Sequence, residues 1–426
     1  MKQRRRVVVT GIGIVAPNGI GTQAFWANAM AGRSGVHPVE VFPTRGFKSR
    51  IAGQALDFDP LAQGLSAEQS RRLDRYIQFA LVAAREAVKE SGLEFSGVDG
   101  ERMGVCVGNA ICGTPLMERD FLTLTERGTG PIRPEKVRPT LYQASTFNVA
   151  SAEVASRYGA HGPCGALTTG CTGGLDAIGF ALDCIRHGDA DVMICGAAEA
   201  PITPVAMAAF DVIGALSKRN DAPQRASRPY DAHRDGFVLG EGAGILILEE
   251  RSHALRRGAT ILAEVRGFGS CNNAFHMTDL PPDGAALARS MRLALDDARL
   301  QGATVDYVSA HGSSTSQNDA NETAALKSVL GAHAYRVPIS SLKSMVGHPL
   351  AAANALEAVS SVLTIQRGEV PPTINYETPD PACDLDYVPN EGRRRRVDVV
   401  LKGASGFSGI HSALVLTSPG YEGGLS

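Results

Sequence analysis

Eight cysteines, at positions 106, 112, 164, 171, 184, 195, 271 and 383, include no CxxC pair and no zinc-type spacing. That lack argues against a disulfide-stapled or metal-built scaffold and fits a reducing compartment. Long apolar runs are missing as well: none approaches the ~20 residues that cross a bilayer. Lys2–Arg6 precede an apolar stretch, but Pro17 and Asn18-Gly19 break it too early for a secretory signal, so the chain reads as soluble and cytoplasmic. Charge of one sign is also lacking. With 42 Lys and Arg against 44 Asp and Glu the net charge is −2, which gives no global pull toward nucleic acid or a membrane surface. What is abundant is small or apolar: 47 glycines and 44% hydrophobic residues in a chain of 426 imply a large core with closely approaching backbones.

One stretch organises the rest, Ala166–Gly179. Cys171 stands there between glycines, ahead of a periodic Leu175, Ile178, Leu182, Ile185 face, which predicts a sharp turn opening a buried helix. Unpaired N–H groups and the positive helix end would favour the thiolate at such a position, and the glycines leave room for a carbonyl to approach. A packed small residue in a tight turn remains the alternative.

Arg6–Gly13 reads as a β-branched strand ending in a glycine turn. Its GxG is not a dinucleotide site, because Pro17 and Asn18-Gly19 fall where the phosphate-binding helix should begin. Residues 67–90 have helical spacing and close at Gly92, and Met103–Gly108 is a second strand. Residues 114–146 are mixed and polar, an excursion from the sheet. Asp191–Ala197 and Gly244–Leu248 are further strands around a turn-rich segment, 227–242. The pattern then restarts: Ile261–Gly269 echoes the opening strand, and Asp398–Ala404 repeats the D-V-x-x-x-G-A of Asp191–Ala197. Order and spacing predict two related β/α halves, 1–255 and 256–426, with the helix behind Cys171 matched to the one behind His348.

The second half offers partners for the sulfur. Val305–Thr315 delivers His311 from a strand into a glycine-hydroxyl turn, and Ser340–Pro349 places His348 at a loop-to-helix junction with Lys343 five residues before it. A lone histidine is commonly structural, whereas a lysine inside the fold calls for a role. Gly403–Gly409 can offer free N–H groups near the cysteine. A thioester-forming sulfur with two imidazoles suits carbon–carbon bond formation; a Cys–His hydrolase would need only one histidine.

These residues resemble the β-ketoacyl-acyl carrier protein synthases of the thiolase superfamily. The likeness runs from Val7–Gly13 through the cysteine turn, Ser227–Asp231, Arg234–Gly244, His311–Thr315, Lys343–His348, Pro371–Asn375, Cys383–Pro389 and Gly406–Gly409. More narrowly, Thr168–Gly179, Leu116–Phe121 and Ala200–Pro204 look like the ketosynthase-alpha subunit of type II polyketide synthases. The resemblance implies an α/β thiolase-like fold, two pseudo-symmetric halves in a layered αβαβα core, and decarboxylative Claisen condensation. Cys171 would be the nucleophile, His311 and His348 would bind the malonyl thioester oxygen, and Lys343 would balance charge and orient a histidine. Glu322 matches the family's acidic site residue, although alone it reads as a solvated helix residue. Phe407 would gate the pockets and share the oxyanion hole through its N–H, while Ser313 and Thr315 would bind the phosphopantetheine arm or simply cap a turn.

The resemblance further implies no metal or redox cofactor, substrates on a carrier protein's 4'-phosphopantetheine arm, and a heterodimer with a chain-length factor, otherwise a homodimer. No nucleic acid or membrane partner is expected. Fatty-acid elongation would use the same chemistry. A thiolase would carry a second cysteine in the last glycine loop; a chain-length factor would lack the cysteine, and the intact Cys171, His311 and His348 argue against a non-catalytic chain-length factor or scaffold. Ser408, Ile410 and His411 depart from the common GFGG pattern, and Asn273 stands where many fatty-acid synthases have aspartate. His276 reads as structural. Arg393–Arg396 reads as a solvated loop, or as a docking patch for an acidic carrier protein.

Overall fold

The apolar run that starts at Val7 does not turn at its glycines; it continues as a ten-residue buried strand to Ala16. The computed structural model describes residues 4–94 and 98–423. In chain order the framework is β1 (Val7–Ala16), α1 (Arg75–Ser91), β2 (Met103–Gly108), α2 (Val149–Tyr158), β3 (Cys164–Gly165), α3 (Gly173–His187), β4 (Val192–Glu199) and β5 (Gly242–Glu250). The same order follows as β6 (Ala263–Asn272), α4 (Ala285–Ala298), β7 (Tyr307–Ser309), α5 (Ser316–Leu330), β8 (Ile339–Ser340), α6 (Leu350–Arg367), β9 (Val399–Ser405) and β10 (Ile410–Thr417).

Pairing repeats with the order. Along β1-β5-β4-β2-β3 the contacts run antiparallel, antiparallel, parallel, parallel, and β6-β10-β9-β7-β8 follows the same scheme. Among the described residues, the two five-strand sets pair with each other only where Val7, Val8 and Val9 meet Val265, Glu264 and Ala263. Helices α3 and α6 pack against strands of both sets, α1 and α2 cover the outside of the first, and α4 covers the second with α5 beside it. The result is the five-layer αβαβα arrangement.

Small residues make the layers possible. A Cβ on Gly11 or Gly13 would lie 2.0 Å from a carbonyl oxygen of α1, and one on Gly267 would lie 2.1 Å from the Ala294 carbonyl of α4. The GxG pairs therefore seat helices against mid-strand backbone instead of turning the chain. Gly13→Ala is expected to cost about 3 kcal/mol, the upper end for overpacking, read as a lowered melting temperature; an unchanged one would mean that α1 can retreat.

The helix expected over 67–90 is two helices, Ala67–Arg72 and Arg75–Ser91, because the Asp74 carboxylate accepts from the Tyr76 N–H and restarts the chain as an N-cap. Gly92 ends the second at φ 60°. Of the basic start, Lys2 and Gln3 lie outside the described residues, while Arg4, Arg5 and Arg6 pair with Asp297, Asp191 and Glu264. Among the described residues no helix is long and apolar enough to cross a membrane.

Candidate active site

Cys171 lies in a single 3₁₀ turn, Gly170–Thr172, that runs directly into α3; Gly170 takes φ 62°, the left-handed region that favours glycine. The expected buried face follows, since Leu175, Ile178, Leu182 and Ile185 are all fully buried. Asp176 holds the turn from beneath. Its carboxylate accepts from Thr169, from Thr172 Oγ1 at 2.7 Å and from Ser412 Oγ of β10 at 2.5 Å. From α6, Asn354 donates to the Cys171 carbonyl.

The backbone N–H groups of Phe407 and Cys171 are directed at the sulfur, and Lys343 adds positive potential. Burial nevertheless outweighs these influences and pushes the thiol up to about 11. The helix start thus does not deliver the resting thiolate expected of it.

The turn after β7 carries His311 and the turn before α6 carries His348. Their rings lie 5.3 Å apart at 82°, edge to face, and both line a cavity of about 350 Å³ with Cys171. His348 is fastened by its N–H to the Val238 carbonyl at 2.7 Å, and Phe237 packs edge-on against its ring. Burial, reinforced by Lys343, holds both imidazoles well below their ordinary value, so they are neutral near pH 7. Lys343 Nζ lies 3.4 Å from His311 Nδ1, which makes that nitrogen the acceptor and leaves the ring proton on Nε2.

Charge behind the rings is balanced by buried groups. Lys343 Nζ donates to the His311 carbonyl at 2.6 Å and to Glu357 Oε1 at 2.5 Å, and Lys402 Nζ stands 2.8 Å from Glu357 Oε2. Glu322 is fully buried, not solvated. It accepts from the N–H groups of His311 and Gly312 at 2.7 and 2.8 Å and from the Tyr230 hydroxyl at 2.8 Å.

Of the residues singled out in sequence, Cys171, His311, His348, Ser313, Thr315 and Phe407 line the cavity; Lys343 and Glu322 stand behind it. Ser313 and Thr315 share a hydrogen bond at 2.9 Å, and Thr315 also caps α5 through Asn318. The Phe407 ring is 36% exposed and lies 6.5 Å from that of Phe210. Its neighbour Ser408 takes φ 66° and donates its N–H to the Met277 carbonyl at 2.7 Å, while Asn273 donates to the Gly409 carbonyl at 2.9 Å. His411 is buried behind the cavity wall, bonded to Ser405, and burial holds it at about 4. Ile410 is part-buried and His276 exposed, its Nδ1 accepting from Thr278 and Asp279.

The arginine run does not border the site. Arg395 bonds to Gly368, past the C-terminal end of α6, whereas His348 precedes its N-terminal end. That helix is 18 residues long and so spans about 27 Å. Arg393 and Arg396 pair with Asp386 and Asp398.

Sequence reasoning passed over Glu357, Lys402, Asp176 and Glu199. Glu199, fully buried at the end of β4, accepts from the Ala110 and Ile111 N–H groups at 2.6 and 3.2 Å and is pushed up to about 7 by burial. Each is a lone charge within an apolar segment, a pattern that flags a buried partner. Among the described residues no group of His, Cys, Asp and Glu is arranged to hold a metal ion.

Two family models match the chain, the β-ketoacyl synthase N-terminal domain over residues 4–254 and its C-terminal domain over 262–377. The tetracenomycin polyketide synthase ketoacyl synthase alpha subunit of Streptomyces glaucescens is 50% identical over 420 residues, covering 97% of each chain. A solved ketosynthase, in complex with a type II PKS acyl-carrier protein and bound to the hexaketide, aligns with TM-score 0.91 and 48% identity, over 98% of this chain and all of that one. The ishigamide ketosynthase/chain length factor aligns with TM-score 0.89 and 36% identity, over 98% of this chain and all of that one. With this five-layer fold, and with a cysteine and two histidines on one cavity, the chain belongs to the β-ketoacyl synthase family of acyl-transferring condensing enzymes.

Proposed function

We propose that the protein condenses a Cys171-bound acyl chain with a malonyl thioester in type II polyketide assembly. The carrying observation is the shared cavity, where a nucleophilic sulfur meets two neutral imidazoles and a directed backbone N–H pair. In loading, the sulfur attacks the acyl thioester and the carrier thiol leaves; the N–H groups of Cys171 and Phe407 take up charge on the carbonyl oxygen. In the second half-reaction, the imidazole N–H groups hold the malonyl thioester oxygen while the C–C bond to the carboxylate breaks and carbon dioxide departs. The enolate then attacks the acyl-cysteine carbonyl, the C–S bond breaks and the β-ketoacyl thioester is released.

Lys343 serves this scheme by keeping Nδ1 of His311 an acceptor, and Glu322 by fixing the His311 backbone. Ser313 and Thr315, on the cavity wall, suit the amide groups of a 4'-phosphopantetheine arm, and Phe407 suits a gate. No resident cofactor enters these steps. The halves 1–255 and 256–426 would divide the labour, the first supplying the nucleophile and the second the two histidines and the gate.

The preferred partner beyond the carrier protein is a chain-length factor, with a homodimer as the other outcome. Exposed Phe121, Ile132 and Tyr142, at 60, 63 and 75%, and the unpaired edge of β3 support a subunit interface on the 114–165 side. Eight free cysteines support a cytoplasmic, reducing location. Incubating the chain with acyl- and malonyl-carrier protein, alone and with a chain-length factor, should give carrier-bound β-ketoacyl mass that grows with the partner present. Absence of any such product in every combination would reject the reading.

A further inference from the structure

Lys402 is a fully buried lysine on β9 that the mechanism above does not use. A second ammonium beside the Lys343–Glu357 pair is costly unless it does something, since burial and Lys343 disfavour its charge and chiefly Glu357, with a smaller contribution from Glu322, opposes that penalty. Its strand pairs in parallel with β7, with Lys402 beside Ser309, two residues before His311. Its Nζ reaches the Ala310 carbonyl at 3.5 Å and stands 2.8 Å from Glu357 Oε2. The other oxygen of Glu357 holds Lys343, which touches His311 Nδ1. Lys402, Glu357, Lys343 and His311 thus form one continuous buried chain.

We propose that Lys402 is a positioning residue for the decarboxylation step, acting through Glu357 and Lys343 to keep the two imidazoles neutral donors. This rests on the condensing reading above. With Lys402 present, the Lys-Glu-Lys triad carries one net positive charge behind the rings; without it the pair Lys343–Glu357 is neutral and an imidazolium becomes easier to form. Other charges face the rings too. Glu322 lies beneath His311 on α5, His411 comes from β10, and Cys171, Asp235 and Asp279 stand on the cavity wall. None of these changes in the comparison proposed, so the triad's net charge is the variable.

The test is the pH profile of carbon dioxide release from malonyl-carrier protein by the full chain, from about pH 4 to about pH 8. Lys402→Met is expected to move the acid limb up by about one pH unit, roughly a tenfold loss on that limb with the plateau retained. The double variant Lys402→Met/Glu357→Gln restores one net positive charge and is expected to return the limb toward its original position. Lys402→Gln, which keeps donors for the Ala310 and Gly403 carbonyls, gives the same reading should the methionine variant fail to fold. A uniform loss at every pH, with an unmoved limb in the single variants, would make Lys402 structural and overturn the proposal. A wild-type chain that releases no carbon dioxide at any pH would instead overturn the condensing reading itself.

Discussion

Cys171→Ala should reduce acyl loading and condensation by at least about 10³-fold, while malonyl decarboxylation persists. The two outcomes part because, among the described residues lining the cavity, Cys171 carries the only thiol, whereas on the proposed scheme the malonyl oxygen would be held by His311 and His348. Loading is read as radiolabel or mass on the protein, decarboxylation as released carbon dioxide. Retained condensation would remove Cys171 from the mechanism. A second measurement follows from the raised thiol. With the group at about 11, alkylation of Cys171 by a small neutral reagent should rise about tenfold per pH unit from neutrality until it levels near that value. A plateau at neutral pH would show that a partner charge outweighs burial.

Glu357→Gln carries the largest expected stability loss, about 3–5 kcal/mol, the usual consequence of leaving buried charge without its counter-ion. The side chain is 2% exposed and serves two ammonium groups, at 2.5 and 2.8 Å, each itself fully buried. Neutralising it leaves both cations facing one another across an amide. Urea unfolding should show the midpoint fall, with part of the loss recovered when Lys402 is removed as well. A change below about 1 kcal/mol would mean that water or a proton already relieves the pair.

Much of this was legible in the residues. The β-branched run at Val7 with its echo at Ile261–Gly269, the matched D-V-x-x-x-G-A segments and the glycine-flanked cysteine each report local geometry, and local geometry is what a periodic pattern encodes. What escaped was set by distant parts of the chain. Glu322 reads as a solvated helix residue because four intervening segments must fold before Tyr230 and the His311 turn close over it. The thiolate expectation failed since a helix end acts locally while burial is a property of the whole assembly. Arg393–Arg396 invited a docking role until α6 was seen to separate it from the cavity. Lys402 and Glu357 were visible as isolated charges in apolar surroundings, though nothing in their spacing says that they find each other.

At their N-terminal ends the central helices approach with nothing larger than a methyl group between them. A Cβ on Gly174 would meet the Ala351 carbonyl at 2.7 Å, and one on Gly173 the Ala351 methyl at 3.1 Å. Peptide planes, therefore, and not rotamers, hold the gauge between the turn bearing the sulfur and the helix that begins beside His348. Phe210, on the wall of the same cavity, can change without moving either backbone.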